Sequence, residues 1–485
     1  MNIMNSSTQK MTNYRWVICS MLFFATIINY LDKQVLSLTW KDYIAPEFHW
    51  TNNHYGNITA LFSIFYAISM LFAGRFIDKL GTKKGYLCAI GVWSIGACLH
   101  AFCGIATSGI ITGKWLVGFE GAKEAINLFG NGALIASTSV TLFIFARLIL
   151  ALGEAGNYPA AIKATAEYFP KKDRALATSL FDTGSIIGAL AAPLSIPVIA
   201  EKWGWETAFI IIGLLGFIWM GVWIFIYKKP ANNPHVNAAE LTYIEQDSKI
   251  DNSYNSTINK ENKVSFINCL KYKQTWAFAL GKFLTDGVWF FFLFWTPAYL
   301  SAVYEIKSSD PKGQLAIFML YLISLISIVG GWLPSYFVNK KGMNPYAGRM
   351  KTMLIFASFL LVALLAQPLG HISYWLPIIF IGIAMAGHQA WSANIFSTVG
   401  DMFPKKAIAT IIGIGGMAGG FGAFIINKSS GVLFDYAGQT QMTFMGFKGE
   451  EAGYFIIFSV CAFSHLLGWI VMKTLVPKYK PITDL

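Results

Sequence analysis

An aspartate and a lysine stand side by side, Asp32-Lys33, inside the apolar stretch Trp16–Trp40. At ~1.5 Å of rise per residue this stretch crosses a ~30 Å hydrocarbon layer. Each charge costs ~2.5–3.5 kcal/mol there on insertion scales, so the pair should face a polar cavity and not lipid. A lysine alone can snorkel to the nearer interface; a short aspartate cannot, and Asn29 and Tyr30 add polarity on the same turn. Arg147 and Glu154 form a second pair, within Ala-Arg-Leu-Ile-Leu-Ala-Leu-Gly-Glu-Ala-Gly-Asn-Tyr-Pro. Seven residues make about two helical turns, so both project from one face, ~10 Å apart. Together the two pairs suggest one shared polar cavity. A carboxylate in a low-dielectric cavity holds or loses its proton according to the charges around it. Asp32 and Glu154 are therefore candidate proton acceptors whose affinity changes when an anion or cation moves. Purely structural charge pairing is the plainer alternative.

The elements that must position these residues are membrane helices. The chain has 485 residues, 55% hydrophobic and only 13% charged, with a mean hydropathy of +0.51. A soluble domain carries about 25% charged residues. Apolar runs of ~17–25 residues number about twelve. The first half holds Trp16–Trp40, Tyr55–Ile77, Tyr86–Ile105, Ser139–Ala160, Ala175–Ala200 and Phe209–Tyr227. The second holds Thr275–Tyr299, Gln314–Phe337, Thr352–Leu369, Tyr374–Ser397, Ala407–Leu433 and Tyr454–Lys473. The reading is an all-α polytopic membrane protein, with residues 1–227 and 274–485 as two six-helix halves. The polar stretch 228–273 joins them and is too polar to fold alone. Met1–Tyr14 is polar and gives no sign of a cleavable signal, because the first apolar run is itself span-length.

The net charge of +12 is not one basic patch, which argues against nucleic acid. Cations recur in short clusters: Lys10 and Arg15; Lys79, Lys83 and Lys84; Lys171, Lys172 and Arg174; Lys340, Lys341, Arg349 and Lys351; Lys405 and Lys406; Lys478 and Lys480. All fall on one side of the predicted spans, whereas the opposite loops mix signs, as in Lys41, Asp42 and Glu47. By the positive-inside rule both termini and the central loop are cytoplasmic. Gly104–Thr138, with weak apolar content, reads as an extracytoplasmic insertion carrying a short amphipathic helix. The six cysteines have no metal-ligand spacing and read as small packing residues. A repeat links the halves: Glu167-Tyr-Phe-Pro-Lys-Lys follows the fourth span and Asp401-Met-Phe-Pro-Lys-Lys the tenth. Such parallel six-span repeats are the layout of a transporter whose site lies between the halves.

Gly74-Arg-Phe-Ile-Asp78-Lys79-Leu-Gly81-Thr-Lys83-Lys84 joins the second and third spans. It resembles the signature of the major facilitator superfamily at every defining position. Gly81 allows a tight turn, Asp78 can face the positive N-terminus of a neighbouring helix, and Lys79, Lys83 and Lys84 hold the loop in the cytoplasm. Contacts of this kind lock one access state and release in the other. Gly331–Gly342 is a degenerate echo without the acid. Asn-Tyr-Leu-Asp-Lys at 29–33, Gly-Glu-Ala-Gly-Asn-Tyr-Pro-Ala-Ala from Gly153 and Phe-Pro-Lys-Lys-Asp-Arg-Ala-Leu-Ala-Thr-Ser from Phe169 resemble the anion:cation symporter family. Tyr227-Lys-Lys-Pro, Glu240-Leu-Thr-Tyr-Ile-Glu and Gly387-His-Gln-Ala-Trp-Ser-Ala-Asn are similar to its hexuronate (glucuronate/galacturonate) transporters.

The resemblance implies proton-coupled uptake of an organic anion by a functional monomer in a bacterial inner membrane, with no cofactor. It implies Asp32 and Glu154 as protonation sites, Arg147 as modulator of Glu154, and Tyr30, Lys33 and Tyr66 as substrate contacts. Many relatives carry Arg at the Lys33 position, and some carry Gln where this chain has Ser185, a substrate-facing site on the fifth span. In the second half Lys282, Asp286 and Trp289 lie on the seventh span, and His388, Gln389, Trp391, Ser392 and Asn394 on the tenth. A sugar acid needs hydroxyl partners and an apolar ring face, which Trp289, His388, Gln389 and Asn394 can supply. Asp286 beside Gly287 suggests a helix break. No phosphate-binding Gly-rich loop, clustered His/Cys ligands or soluble domain points to an enzyme. Other organic anions, such as an aldonate or a dicarboxylate, stay open as cargo, as does sodium coupling. A non-transporting sensor would ordinarily carry an added signalling domain.

Overall fold

A computed structural model describes residues 10–247, 265–482 and 485. Twelve described helices are long and apolar enough to cross a membrane. In the first half they are α1 (Tyr14–Phe48), α2 (Asn52–Leu80), α3 (Thr82–Thr112), α4 (Gly132–Tyr168), α5 (Lys172–Trp203) and α6 (Trp205–Ile226). In the second they are α7 (Lys273–Tyr304), α8 (Pro311–Lys341), α9 (Pro345–Gly370), α10 (Trp375–Met402), α11 (Thr410–Thr440) and α12 (Glu450–Leu475). These helices run 22 to 37 residues, longer than the apolar windows alone. Their ends extend past the ~30 Å layer, or the helices tilt within it.

The acid-x-Phe-Pro repeat is a repeat of structure as well as sequence. Phe169 and Phe403 end their helices in extended conformation, and Pro170 (φ −63°, ψ 157°) and Pro404 (φ −64°, ψ 148°) start the next ones. Proline's fixed φ and missing N–H suit that position. The acid of each copy is fastened to the helix before it in its own half: Glu167 accepts from Thr82 Oγ1 of α3 at 2.7 Å, and also from Tyr227 at the end of α6, and Asp401 pairs with Arg349 of α9 at 2.6 Å.

Three local expectations change. Residues 104–112 belong to α3, which ends at Gly113 (φ +77°), and α4 begins at Gly132 under an Asn131 cap. Between them lies the helix Gly118–Phe129, which buries Ala122, Ala125 and Ile126. The low apolar content of 104–138 reflected glycines, serines and threonines that pack inside helices. The first part of the linker is not loose: a helix at Ala238–Ile244 lies against the start of α1. Its Glu240 accepts from Thr12 Oγ1 (2.6 Å), Tyr14 N (3.0 Å), Arg15 N (3.0 Å) and Arg15 Nη1 (3.0 Å). Residues 248–264 lie outside the described part. Finally, α7 runs unbroken past Asp286-Gly287, where Gly287 lets α11 approach: a Cβ there would sit 2.9 Å from Gly422 O.

Hydrogen bonds between the halves gather at one end. Asp435 on α11 accepts from the backbone N–H groups of Asn52 (2.9 Å) and Asn53 (2.8 Å) at the start of α2. Asp42 accepts from Ser301 Oγ (2.8 Å) and Ser308 N (2.9 Å), and the Tyr55 hydroxyl donates to Phe294 O (2.9 Å). Trp40 stacks on Tyr55 at 4.0 Å, with Trp295 edge-on to both. Lys428 Nζ donates to Asn53 and Asn57. At the opposite end, which carries the Gly81 turn, no such bond joins α1–α6 to α7–α12 among the described residues.

Candidate functional site

A cavity of about 760 Å³ lies between the halves, within the ~300–1,000 Å³ typical of small-molecule sites. On α2, α5, α8, α10 and α11 its lining residues lie from mid-helix towards the Gly81 end. The bonded end is thus sealed, and the cavity is reached from the Gly81 side. Tyr30, Lys33, Tyr66 and Ser185 line one wall; Trp289, His388 and Gln389 line the other.

Lys33 sits between two rings, its Nζ 4.8 Å from the Tyr30 centroid and 5.1 Å from that of Tyr66. Aromatic faces hold an ammonium without neutralising it. Among the described residues no carboxylate lies within ion-pair distance of it. Lys282 on the facing wall is different. It pairs with Asp286 at 2.8 Å, one turn along the same helix, and stands 4.0 Å from the Phe396 centroid. Trp289 stacks on His388, centroids 5.7 Å apart and planes 15° from parallel, so the wall offers a flat face beside ring nitrogens.

The expected single cavity for both charge pairs is divided in the structure. Asp32, Arg147 and Glu154 are each 1% exposed and lie behind the wall that Lys33 presents. Successive residues of a helix are turned by about 100° around its axis, so Asp32 lies on a different face from Lys33, which lines the cavity. Arg147 Nη2 donates to Lys33 O at 3.3 Å, and its guanidinium lies 4.5 Å from the Phe62 centroid. This one bond ties the buried charges to the backbone of the anchor lysine. The carboxylate oxygens of Asp32 and Glu154, and Arg147 Nε and Nη1, have no hydrogen-bond partner. Both carboxylates act electrostatically on Arg147, and on each other. Such unsatisfied charges are expensive to keep in a packed interior. Close helix packing holds them there: a Cβ on Gly153 would overlap the Trp93 backbone of α3, so Glu154 is locked beside that contact.

Asn394 is a correction. It does not line the cavity; its Nδ2 donates to Gly330 O (2.9 Å) and Ala390 O (2.8 Å), fastening α10 to α8. Two residues from Ser392 along a helix is about 200° of turn, the far face of α10. Trp391 is likewise buried away from the cavity. Asp78 is a second correction: its carboxylate pairs with Lys163 of α4 at 2.9 Å and is largely exposed, instead of capping a helix. Gly81 does make the turn between α2 and α3 (φ +77°), and Lys83 Nζ donates to Ile224 O at 2.6 Å. Gly74 has open space around it, and Lys79 and Lys84 are exposed.

Sequence reasoning missed Asp182 and Tyr158, which hydrogen-bond to each other on the cavity wall. The signal was available, since Asp182 is a lone carboxylate within the fifth apolar run. It also missed His465 on α12, whose partner is His388.

The Major Facilitator Superfamily family model matches residues 22–426. The hexuronate transporter of Escherichia coli (strain K12) is 26% identical over 470 residues, covering 96% of this chain and 95% of that protein. A probable galactarate/D-glucarate transporter of the same strain is 24% identical, covering 88% and 89%. A crystal structure of a bacterial homologue of the human lysosomal transporter Spinster, inward-facing and occupied, superposes with a TM-score of 0.67 at 15% identity, covering 97% and 99%. With a family model matching most of its length and twelve described helices able to span a membrane, the chain belongs to the Major Facilitator Superfamily, a multi-pass membrane transporter and not an enzyme.

Proposed function

We propose that the chain takes up a hexuronate, glucuronate or galacturonate, together with protons. The observation that carries the substrate class is the inequality of the two cavity lysines. Among the described residues Lys33 has no carboxylate within ion-pair distance, Asp32 and Glu154 acting on it only at longer range, whereas Lys282 is paired with Asp286 at 2.8 Å. One unpaired ammonium suits one carboxylate. Trp289 offers its face to the sugar ring, and Tyr30, Tyr66, Ser185, His388 and Gln389 offer partners for hydroxyls. The names of the similar proteins support the same class. A dicarboxylate, the class named for other relatives, would have to draw Lys282 from Asp286.

Asp32 and Glu154 are the proton-binding groups in this proposal, with Arg147 between them and the anchor. Anion binding at Lys33 alters the field at Asp32, one residue away, and shifts Arg147 through the Lys33 carbonyl. Protonation of the carboxylates then lets the loaded carrier close and reopen on the other side. The helix–turn–helix junction bearing Gly74, Asp78, Lys79, Gly81, Lys83 and Lys84 gates the cytoplasmic side, both termini are cytoplasmic, and the monomer is the working unit.

Binding of purified protein to a panel of glucuronate, galacturonate, gluconate and galactarate tests the substrate class. The expected order puts the two uronates first, about tenfold or more ahead of galactarate. Preference for galactarate would overturn the one-carboxylate reading, and preference for gluconate would show that the closed ring is not what the wall selects.

A further inference from the structure

His388 lines the cavity, and its ring touches a second histidine that does not. His388 Nδ1 lies 3.1 Å from Nε2 of His465, with the rings at 82°. His465 is fully buried on α12, and its other nitrogen, Nδ1, has no hydrogen-bond partner. His388 Nε2 makes no protein hydrogen bond among the described residues and is not among the buried unpartnered atoms, so it is open to the cavity.

Two facing ring nitrogens at this distance share one hydrogen. With neutral rings there are two arrangements. If His388 Nδ1 carries it, His465 must carry its own hydrogen on Nδ1, an orphaned donor in a dry interior. If His465 Nε2 carries it, His465 Nδ1 is only an unused lone pair, and His388 must be protonated at Nε2. Buried orphan N–H groups are rarer and costlier than under-used acceptors. The ring edge beside His465 belongs to Trp391, centroids 5.2 Å apart, whose indole N–H is itself unpartnered and is a donor only. A second N–H at His465 Nδ1 would add an unmatched donor to a place that already has one. A charged ring would bury a full cation in the contact between α10 and α12.

We propose that His465 is a positioning residue that fixes His388 in its Nε2–H form, so that the cavity wall opposite Lys33 presents a hydrogen-bond donor to an oxygen of the substrate. The inference deepens the proposed hexuronate site and rests on it for the identity of that oxygen's owner. The wall then selects for acceptor oxygens at one point beside the Trp289 face, and a substrate lacking an oxygen there loses one bond. His465 never touches substrate.

The test is ¹⁵N NMR of histidine-labelled full-length protein, with the His388 signals assigned by their loss in His388→Asn. The native protein is expected to show His388 protonated at Nε2 and bare at Nδ1. In His465→Leu the preference is expected to relax to a mixture, with KM for glucuronate uptake rising about tenfold at nearly unchanged maximal rate. His465→Gln, whose carboxamide can still donate to His388 Nδ1, is expected to restore both. A native His388 protonated at Nδ1, or a His465→Leu protein with unchanged His388 signals, overturns the inference. A native protein that shows the Nε2–H form but transports no uronate sinks the hexuronate reading and leaves the positioning role standing.

Discussion

Two adjacent charges, Asp32 and Lys33, divide the work of the site because neighbouring helical residues point in different directions. Lys33 faces the cavity with aromatic rings around its ammonium; Asp32 faces the packed interior with Arg147 and Glu154. Lys33→Gln is expected to weaken uronate binding about 10–100-fold, the range for losing a charge-assisted hydrogen bond. Lys33→Arg should keep most of the affinity; titration calorimetry of both variants checks the contrast. Asp32→Asn is expected to bind uronate nearly normally and to catalyse exchange across a liposome membrane, without accumulation driven by a proton gradient. Full gradient-driven accumulation by that variant would remove Asp32 from the coupling. These residue types are legible from the chain alone, because a carboxylate in an apolar run is conspicuous. Their directions are not. Asn394 looked like a ligand by its chemistry, and only the packing of α10 against α8 shows that its amide is occupied.

Helices place these residues, and helix ends decide which side of the carrier is shut. The sequence leads one to expect a carboxylate at a helix N-terminus in Asp78, within the Gly74–Lys84 loop. The structure has that interaction at the opposite end, where Asp435 of one half accepts two backbone N–H groups at the start of α2 in the other. Asp78 meanwhile rests on Lys163 inside its own half. One end is clamped between halves and the other is not, as alternating access requires of any single state. A carboxylate at a helix N-terminus contributes about 0.3–2 kcal/mol. Asp435→Ala is therefore expected to shift a closely balanced equilibrium, seen as a longer and broader distance distribution between spin labels at His49 and Gln441. An unchanged distribution would mean that Asp42, Tyr55 and the Trp40–Tyr55 stack hold the end shut without it. Motif residues read from sequence reveal a switch but not its position, because both positions use the same chain.

Across the whole molecule, twelve spans and the two-half layout were legible because hydrocarbon demands length, and length is countable. The repeat at Phe169-Pro170 and Phe403-Pro404 was legible for a similar reason: a proline-started helix leaves its mark in the sequence. The attached part of the linker was not, since Glu240 on a polar stretch looks solvated until its four donors are seen around it. Nor was the His388–His465 contact, which joins positions 77 residues apart on different helices. In the proposed cycle Lys33 binds a uronate while the buried carboxylates bind protons. Uptake of labelled glucuronate and galacturonate into proteoliposomes, with and without an inward proton gradient, tests it most directly. Accumulation above equilibrium is expected only with the gradient, abolished by a protonophore and indifferent to sodium. Accumulation that follows a sodium gradient, or uptake that never exceeds equilibrium in folded protein, would contradict it.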